Sequence, residues 1–427
     1  MARFGVITPP VPGHINPFVA LGGELQRRGH EVVFFQMADV GPRVTHEGLG
    51  FQAIGQSDHP VGSLPESLRT LGTLSGLAAL RFTIAAIGKT TEMICRDAPA
   101  AVKAAGVQMM LVDQTEPAGG SVAEYLGLPF VTVCNALALN REPEIPPPFS
   151  AWSFSGTALA RLRNRVGYAV ADALMHPVKT TLENNRRRWG LPLRKSTDQY
   201  SSSLAQISQL VPGFDYPRKH LPECFHYVGP LRFPSSRSVE FPWERLDGRP
   251  LIYATLGTLQ GSKEGIFRCF SEACEGLPLQ LVISHGSALT ERQAEALSRN
   301  ALVVPYAPQT ELLSRARITI THGGLNTVLD SLAAAVPMVA VPIAFEQPAI
   351  AKRVEWSGTG EVIPLRKLNP KKLRAALDEI LANDRYAAKA LDMARAISAG
   401  GGAKTAADII DSLLHKNIDN HNINKNL

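Results

Sequence analysis

A histidine, a carboxylate and a glycine-rich junction stand in three separate stretches of this chain. "PPVPGHINP" puts His14 just past an apolar run, and "MLVDQTEP" puts Asp113 at the end of another. Imidazole takes up a proton near neutral pH because its unperturbed pKa lies there. A carboxylate bonded to one ring nitrogen would orient the ring and stabilise its charged form. On residue type alone His14 is equally a loop histidine beside a helix start. The third stretch, "ARITITHGGLNTVLDSLAAAVPMVAVPIAFEQP", carries a strand pattern into His322-Gly323-Gly324 and then a helix pattern. Such a junction exposes backbone N–H groups at the positive end of the helix dipole, which suits a phosphate. Gly323 and Gly324 let the backbone approach a ligand. Asn326 and Thr327 can cap the helix or bond phosphate oxygens. His322 can donate to a diphosphate, and Asp330, one turn on, can accept from a ribose hydroxyl. The blander alternative is a tight turn with an ordinary loop histidine.

Other positions speak more softly. Tyr306 in "VVPYAPQTELL" ends a strand, where it could stack on a base or fill a core. Thr255, Gly257 and Thr258 in "TLGTLQG" are small or hydroxylated, and also common turn material. Asn135 closes "FVTVCN" and could touch a sugar or an acceptor. The sequence has no Asp-x-Asp and no His/Cys cluster, so no metal bridging a diphosphate is implied.

These residues need elements to hold them. Phe4 to Thr8 is a continuous apolar run, suited to a parallel strand buried on both faces. Asn16 reads as an N-cap, Pro17 as the first helical residue and Gly29 as the stop. Residues 30–35 read as the next strand, and the unit recurs at "VQMMLVDQ", "EPAGGSVAEYLG" and "LPFVTVCN". Strand, crossover helix, strand means a right-handed parallel sheet. The pattern restarts at "RPLIYATLGTL" and runs through "LQLVISHG", "ALVVPYA", "ARITITHGG" and "VPMVAVPIAF". "PLRFPSSRSVEFPWERLDGRP", rich in Pro, Ser and charge, reads as a linker. The expected architecture is therefore α/β, with two Rossmann-like doubly wound parallel-sheet domains facing a cleft. They span residues 1–232 and 249–414, joined by a linker at 233–248, with the last helix packing back on the first domain. The asparagine-rich tail, 415–427, is expected to be disordered.

Composition bounds the rest. A chain of 427 residues is too long for one ordinary core. With 45% hydrophobic and 19% charged residues it fits a soluble globular protein, and its net charge of +6 is the one feature that favours nucleic acid. The five cysteines are scattered without a CxxC, which argues against disulfides and zinc and suits the reducing cytoplasm. The N-terminal apolar run is cut by Pro9-Pro10, as in a strand rather than a signal peptide. No apolar stretch reaches the roughly 20 residues of a membrane span, so lipid would be met only peripherally. PPVPGH after the first strand, in place of GxGxxG, argues against a dinucleotide-dependent dehydrogenase.

"YAPQTELL" followed by "ITHGGLNTVLDSLAAAVPMVAVPIAFEQP" resembles the nucleotide-sugar motif of UDP-dependent glycosyltransferases of the GT-B fold. The resemblance implies that Tyr306, where Trp is common, stacks on uracil, and that Ala307 and Gln309 touch base and ribose. It implies that His322, Asn326 and Thr327 hold the diphosphate around Gly324, with Asp330 in place of the usual ribose-binding Glu. Glu346-Gln347, commonly Asp-Gln, would read sugar hydroxyls, and Thr255 and Thr258 would face the phosphates. His14 and Asp113 match the family's dyad of base and orienter. "SLAQISQLVPGFDYPRKHLPECFHYVGPLR", "ATLGTLQG" and "CNALALNREPE" look like the bacterial zeaxanthin glucosyltransferases, which glucosylate carotenoid end-ring hydroxyls. What this implies is inverting, metal-independent transfer of glucose from a UDP-sugar, a substrate and not a cofactor, to an apolar acceptor's hydroxyl. Another small hydrophobic alcohol or phenol, a UDP-sugar 2-epimerase and a non-catalytic lipid or pigment carrier remain alternatives. Residues 73–88 and 146–154 could line an apolar groove. Residues 151–195 hold nine Arg/Lys against two Asp/Glu, beside Trp152, Phe154 and Trp189, which suits a membrane surface or a solvated face.

Overall fold

Two parallel sheets, each wound by helices, make up this computed structural model, which describes residues 1–74, 76–233, 239–257, 264–298 and 301–425. The first sheet holds β1 (Arg3–Ile7), β2 (Glu31–Gln36), β3 (Gly50–Ala53), β4 (Met109–Asp113), β5 (Phe130–Cys134), β6 (Gln206–Ser208) and β7 (Phe225–Tyr227). Their order is 3-2-1-4-5-6-7. Around them lie α1 (Pro12–Arg27), α2 (Gly41–Thr45), α3 (Ser63–Thr73), α4 (Gly76–Ala104), α5 (Pro117–Tyr125) and α6 (Ala158–Arg188). The second sheet holds β8 (Leu251–Thr255), β9 (Gln280–Ser284), β10 (Ala301–Val304), β11 (Ala316–Thr321), β12 (Met338–Ala340) and β13 (Gly360–Val362), ordered 10-9-8-11-12-13. Its helices are α7 (Glu264–Cys274), α8 (Glu291–Leu297), α9 (Gln309–Leu313), α10 (Leu325–Ala333), α11 (Gln347–Ser357) and α12 (Pro370–Ala382). Then α13 (Asp384–Gly400) and α14 (Gly402–Lys425) close the chain.

Each sheet reverses direction beside its first strand, between β1 and β4 and between β8 and β11. At such switch points the helices leave on opposite faces and open a crevice beyond the strand ends. The register pairs Ile7 with Val112 and Thr321 with Thr255, so the ends of neighbouring strands are level. The strands tolerate this position because they are apolar on both faces; all of Met109–Asp113 and Leu251–Thr255 is buried. Helix α10 follows from spacing: Leu325, Val328, Leu329 and Leu332 form one stripe, all buried. Burial of each such side chain contributes about 2 kcal/mol. The last helix leaves the second domain and packs on α1, its Ala406, Ala407 and Ile410 sharing a core with Phe18 and Leu21. Arg28 fastens it, 2.8 Å from Asp411 and 2.7 Å from Asp408.

Three local expectations need correction. Helix α1 starts at Pro12 after an extended Val11, not after Asn16. Pro12 takes the N1 position that suits proline, and Pro17 then falls within the helix. His14 consequently lies in the first turn of α1 and not in the loop before it. Strand β12 stops at Ala340, short of Ile343, because Pro342 has no N–H for a ladder. Helix α14 extends as far as Lys425, beyond the Leu414 at which the second domain was expected to end. No Gly or Pro interrupts residues 403–425, and each Asn costs a helix only a few tenths of a kcal/mol to about 0.7.

Candidate active site

His14 and Asp113 meet at the first switch point. His14 Nδ1 lies 2.8 Å from Asp113 Oδ2. The carboxylate is wholly buried, so each of its lone pairs needs a donor. Oδ1 accepts from the Thr115 backbone N–H at 2.9 Å and the Thr115 hydroxyl at 2.7 Å. Oδ2 accepts from Asn135 Nδ2 at 2.9 Å and Thr8 Oγ1 at 3.4 Å. Burial opposes charge on both partners, yet each stabilises the other's charged form: the His14 pKa stands above its ordinary value and that of Asp113 below. Asn135 is spent on this arrangement. Its Nδ2 also reaches the His14 carbonyl at 3.3 Å, and its Oδ1 accepts from Gln209 at 3.2 Å. Its polar atoms thus hold the dyad, at the wall of the cavity.

The second switch point carries the phosphate-type junction. Helix α10 has no side-chain cap, so its first N–H groups are left to a ligand. The His322 ring is pressed between Gly257 and Gly324; a Cβ on Gly324 would lie 2.5 Å from His322 Nε2. Burial lowers the His322 pKa to about 4, so the ring is neutral near neutral pH, and its buried Nδ1 has no partner among the described residues. Thr255 Oγ1 accepts from the Gly257 N–H at 3.2 Å, fixing this loop. Asn326 spans the two domains: its Nδ2 donates to the Gly13 carbonyl at 2.9 Å. That carbonyl is available because Pro17, four residues on, has no N–H to give it. Thr327 lies in the same turn of α10 and is buried.

Behind the junction runs a polar chain that the sequence reading found only in part. Tyr253 donates to Gln309 Oε1 at 3.3 Å, Gln309 Nε2 donates to Asp330, and Arg232 Nε pairs with Asp330 at 2.5 Å. Burial raises the Asp330 pKa, with Arg232 and Gln309 partly offsetting it. Tyr306 is half exposed at the cleft edge, beside Ala307. At the start of α11, Gln347 Oε1 accepts from the Ile343 and Ala344 N–H groups, both at 2.9 Å, leaving its amide nitrogen to the cleft. Glu346 Oε2 accepts across the domains from the Leu137 N–H at 3.2 Å, and burial raises its pKa. Phe345 just before it holds φ +54°, a strained value for a residue with a side chain.

One cavity of about 1220 Å³ joins both switch points. Every expected site residue among the described ones lines it except Asp113, which lies beneath His14. Thr258 falls outside the described residues. Sequence reasoning missed Arg232, Tyr253 and Glu116. Glu116 is 3% exposed with an Oε1 unpartnered among the described residues, and burial, then the Asp113 charge, push its pKa to about 8. Its signal was present, three residues past Asp113 in "DQTEP"; Arg232 is the last residue before the linker, where nothing local marks it. The apolar end of the cavity takes Phe82 and Ile87 from α4, as expected, and Leu64, Leu68 and Leu71 from α3, which was not. Residues 146–154 do not line it. Trp152 packs on Gly167 with the Arg163 guanidinium 4.9 Å from its ring, and Phe154 stacks on Tyr216 at 5.2 Å.

Known proteins are similar to this chain. The family model described as UDP-glucoronosyl and UDP-glucosyl transferase matches residues 78–397. The chain is 39% identical to a zeaxanthin glucosyltransferase of Pantoea ananas, over 97% of this chain and 96% of that one. It is 36% identical to the zeaxanthin glucosyltransferase of Pseudescherichia vulneris, over 97% and 98%. The crystal structure of CalG4, a calicheamicin glycosyltransferase, superposes with a TM-score of 0.75 at 22% identity, covering 97% of this chain and 98% of that one; it shows a shared fold.

Proposed function

We propose, on the premise that this chain belongs to the UDP-glucoronosyl and UDP-glucosyl transferase family, that it moves glucose from UDP-glucose to the hydroxyl of a carotenoid such as zeaxanthin, with inversion and without a metal. His14 Nδ1 is held by Asp113, so Nε2 is the nitrogen left to accept the acceptor's proton. The freed oxygen attacks the anomeric carbon on the face away from the diphosphate. A C–O bond forms to the acceptor, the C–O bond to the diphosphate breaks, and UDP leaves with that electron pair. The proton stays on His14, where Asp113 stabilises the charge. Negative charge growing on the diphosphate meets the N-terminus of α10 and the His322 N–H, fixed donors that need no reorganisation. Glu346 and Gln347 face the sugar hydroxyls, and the Tyr306 ring lies where a base can stack.

The observation that carries this reading is the 2.8 Å His14–Asp113 contact, set across one cavity from the open end of α10. The carotenoid acceptor is supported by the 39% identity with a zeaxanthin glucosyltransferase and by the apolar wall from α3 and α4. The test is His14→Ala, assayed by mass spectrometry with UDP-glucose and zeaxanthin while UDP binding is followed by calorimetry. Glucoside formation should vanish and UDP affinity should stay within about twofold, since a lost base costs rate and not donor contacts. Glucoside formed at the wild-type rate would end the mechanism.

A further inference from the structure

Helix α6 turns an unusual face to solvent. Leu159 is 77% exposed, Leu162 55%, Val166 54%, Val170 51% and Leu174 41%. Steps of three and four residues place all five on one stripe, which at 1.5 Å per residue runs about 22 Å. Scattered exposed leucines are ordinary, but a continuous stripe on a helix that could have buried it marks a contact surface. The opposite side of α6 is already used: Asn164, Gly167, Val178 and Leu182 are buried against the rest of the domain.

We propose that this face docks on an anionic phospholipid bilayer. Charge selects the occupant. Exposed Arg161 and Arg165 border the stripe, Arg161 with Glu144 3.8 Å away, within a segment holding nine Arg/Lys against two Asp/Glu, of which Arg186 and Arg194 are taken by Glu124. Both carboxylates are already answered: Asp172 accepts from Arg141 at 2.8 Å, and Glu183 lies 3.6 Å from Lys179 and 3.5 Å from Arg187. An apolar stripe edged by arginines matches the acyl boundary and the anionic headgroups above it. A second copy of this chain docked through the same face would bring like charges together.

Helix α4, packed beside α6, also carries exposed apolar residues and reaches the cavity. Asn185 on α6 bonds Glu92 on α4 at 2.8 Å, and both helices end on the side where strands begin, α4 ahead of β4 and α6 against Tyr125 through Trp189. They therefore run in the same direction, and Leu77 stands roughly level with residue 170. Leu77 and Leu80 are exposed; Phe82 and Ile87, farther along α4, line the cavity. An apolar acceptor could pass from bilayer to cavity along this surface. That use rests on the acceptor class proposed above, whereas the contact itself does not.

The test floats the full-length protein with vesicles of phosphatidylcholine alone or mixed with phosphatidylglycerol. The wild type should partition on the mixed vesicles at least tenfold better than on the neutral ones. The triple variant Leu162→Glu, Val166→Glu, Val170→Glu should lose flotation while its UDP affinity is unchanged. The exposed pair Arg161→Ser, Arg165→Ser, which leaves the apolar stripe intact, should weaken binding to the mixed vesicles alone, by roughly tenfold at low salt. Equal flotation of wild type and triple variant overturns the proposal. So does a wild-type dimer in light scattering that the triple variant dissociates, because the occupant would then be another copy. Flotation without any glucoside formed would sink the acceptor reading and leave this one standing.

Discussion

The two walls of the cavity recognise by different physics. The wall from the second domain is polar and fixed: Gly257, Gly324, His322 and the start of α10 are held by backbone position, and Gln309 and Asp330 are locked by Tyr253 and Arg232. The wall from α3 and α4 is apolar, built of half-buried leucines and a phenylalanine without directional bonds. Hydrogen bonds of the kind the proposed donor would need have fixed directions, so that wall tolerates few residue types. An apolar partner needs only area and shape, so many sequences serve. Between them stands the dyad, polar like the first wall but planted in the first domain.

The comparison can be broken at graded cost. Asp113→Asn should lower kcat by about 10² to 10³. It should also move the acidic limb of kcat/KM to lower pH. The sign follows from Asp113 raising the His14 pKa: the base must be neutral, the wild type loses it as pH falls through that raised value, and the variant keeps it to lower pH at a lower plateau. An unmoved limb in a pH–rate profile would sever the dyad. Next in size, Gly324→Ala puts a Cβ 2.5 Å from His322 Nε2 and should weaken UDP binding roughly thirtyfold by calorimetry, with acceptor binding untouched. Tyr306→Ala should cost UDP about tenfold through lost stacking. Smallest, Leu68→Ala should raise the acceptor KM about threefold and leave UDP affinity alone. If Leu68→Ala and Tyr306→Ala each disturb both substrates equally, the two walls are one surface.

This division also explains what was legible. Parallel strands buried on both faces announce themselves as apolar runs, so β1, β4, β8 and β11 could be read directly. The turn at His322-Gly323-Gly324 was legible because few residues other than glycine accept a left-handed backbone, and Gly323 holds φ +81°. Arg232 was not, since it serves Asp330 from 98 residues away in the chain, as the numbering shows. Helix α3 was missed because a stripe of leucines reads alike whether it faces a core or a ligand. The start of α1 was misjudged because two prolines competed for the same N-terminal position, and Val11's extended backbone settled it at Pro12. The part Asn135 plays beneath the dyad was not legible because a strand-end amide looks the same from either side; only its neighbours reveal that Nδ2 serves Asp113 while Oδ1 accepts from Gln209.

The return of α14 to α1 has a mechanical consequence. The polypeptide passes between the lobes twice, once on the way out after β7 and once on the way back between α13 and α14. A body tethered at two points can swing about the line through them but cannot pivot freely around either. Any opening of the cleft is thereby confined to one axis, and on closing, the imidazole returns to the same spot opposite the start of α10.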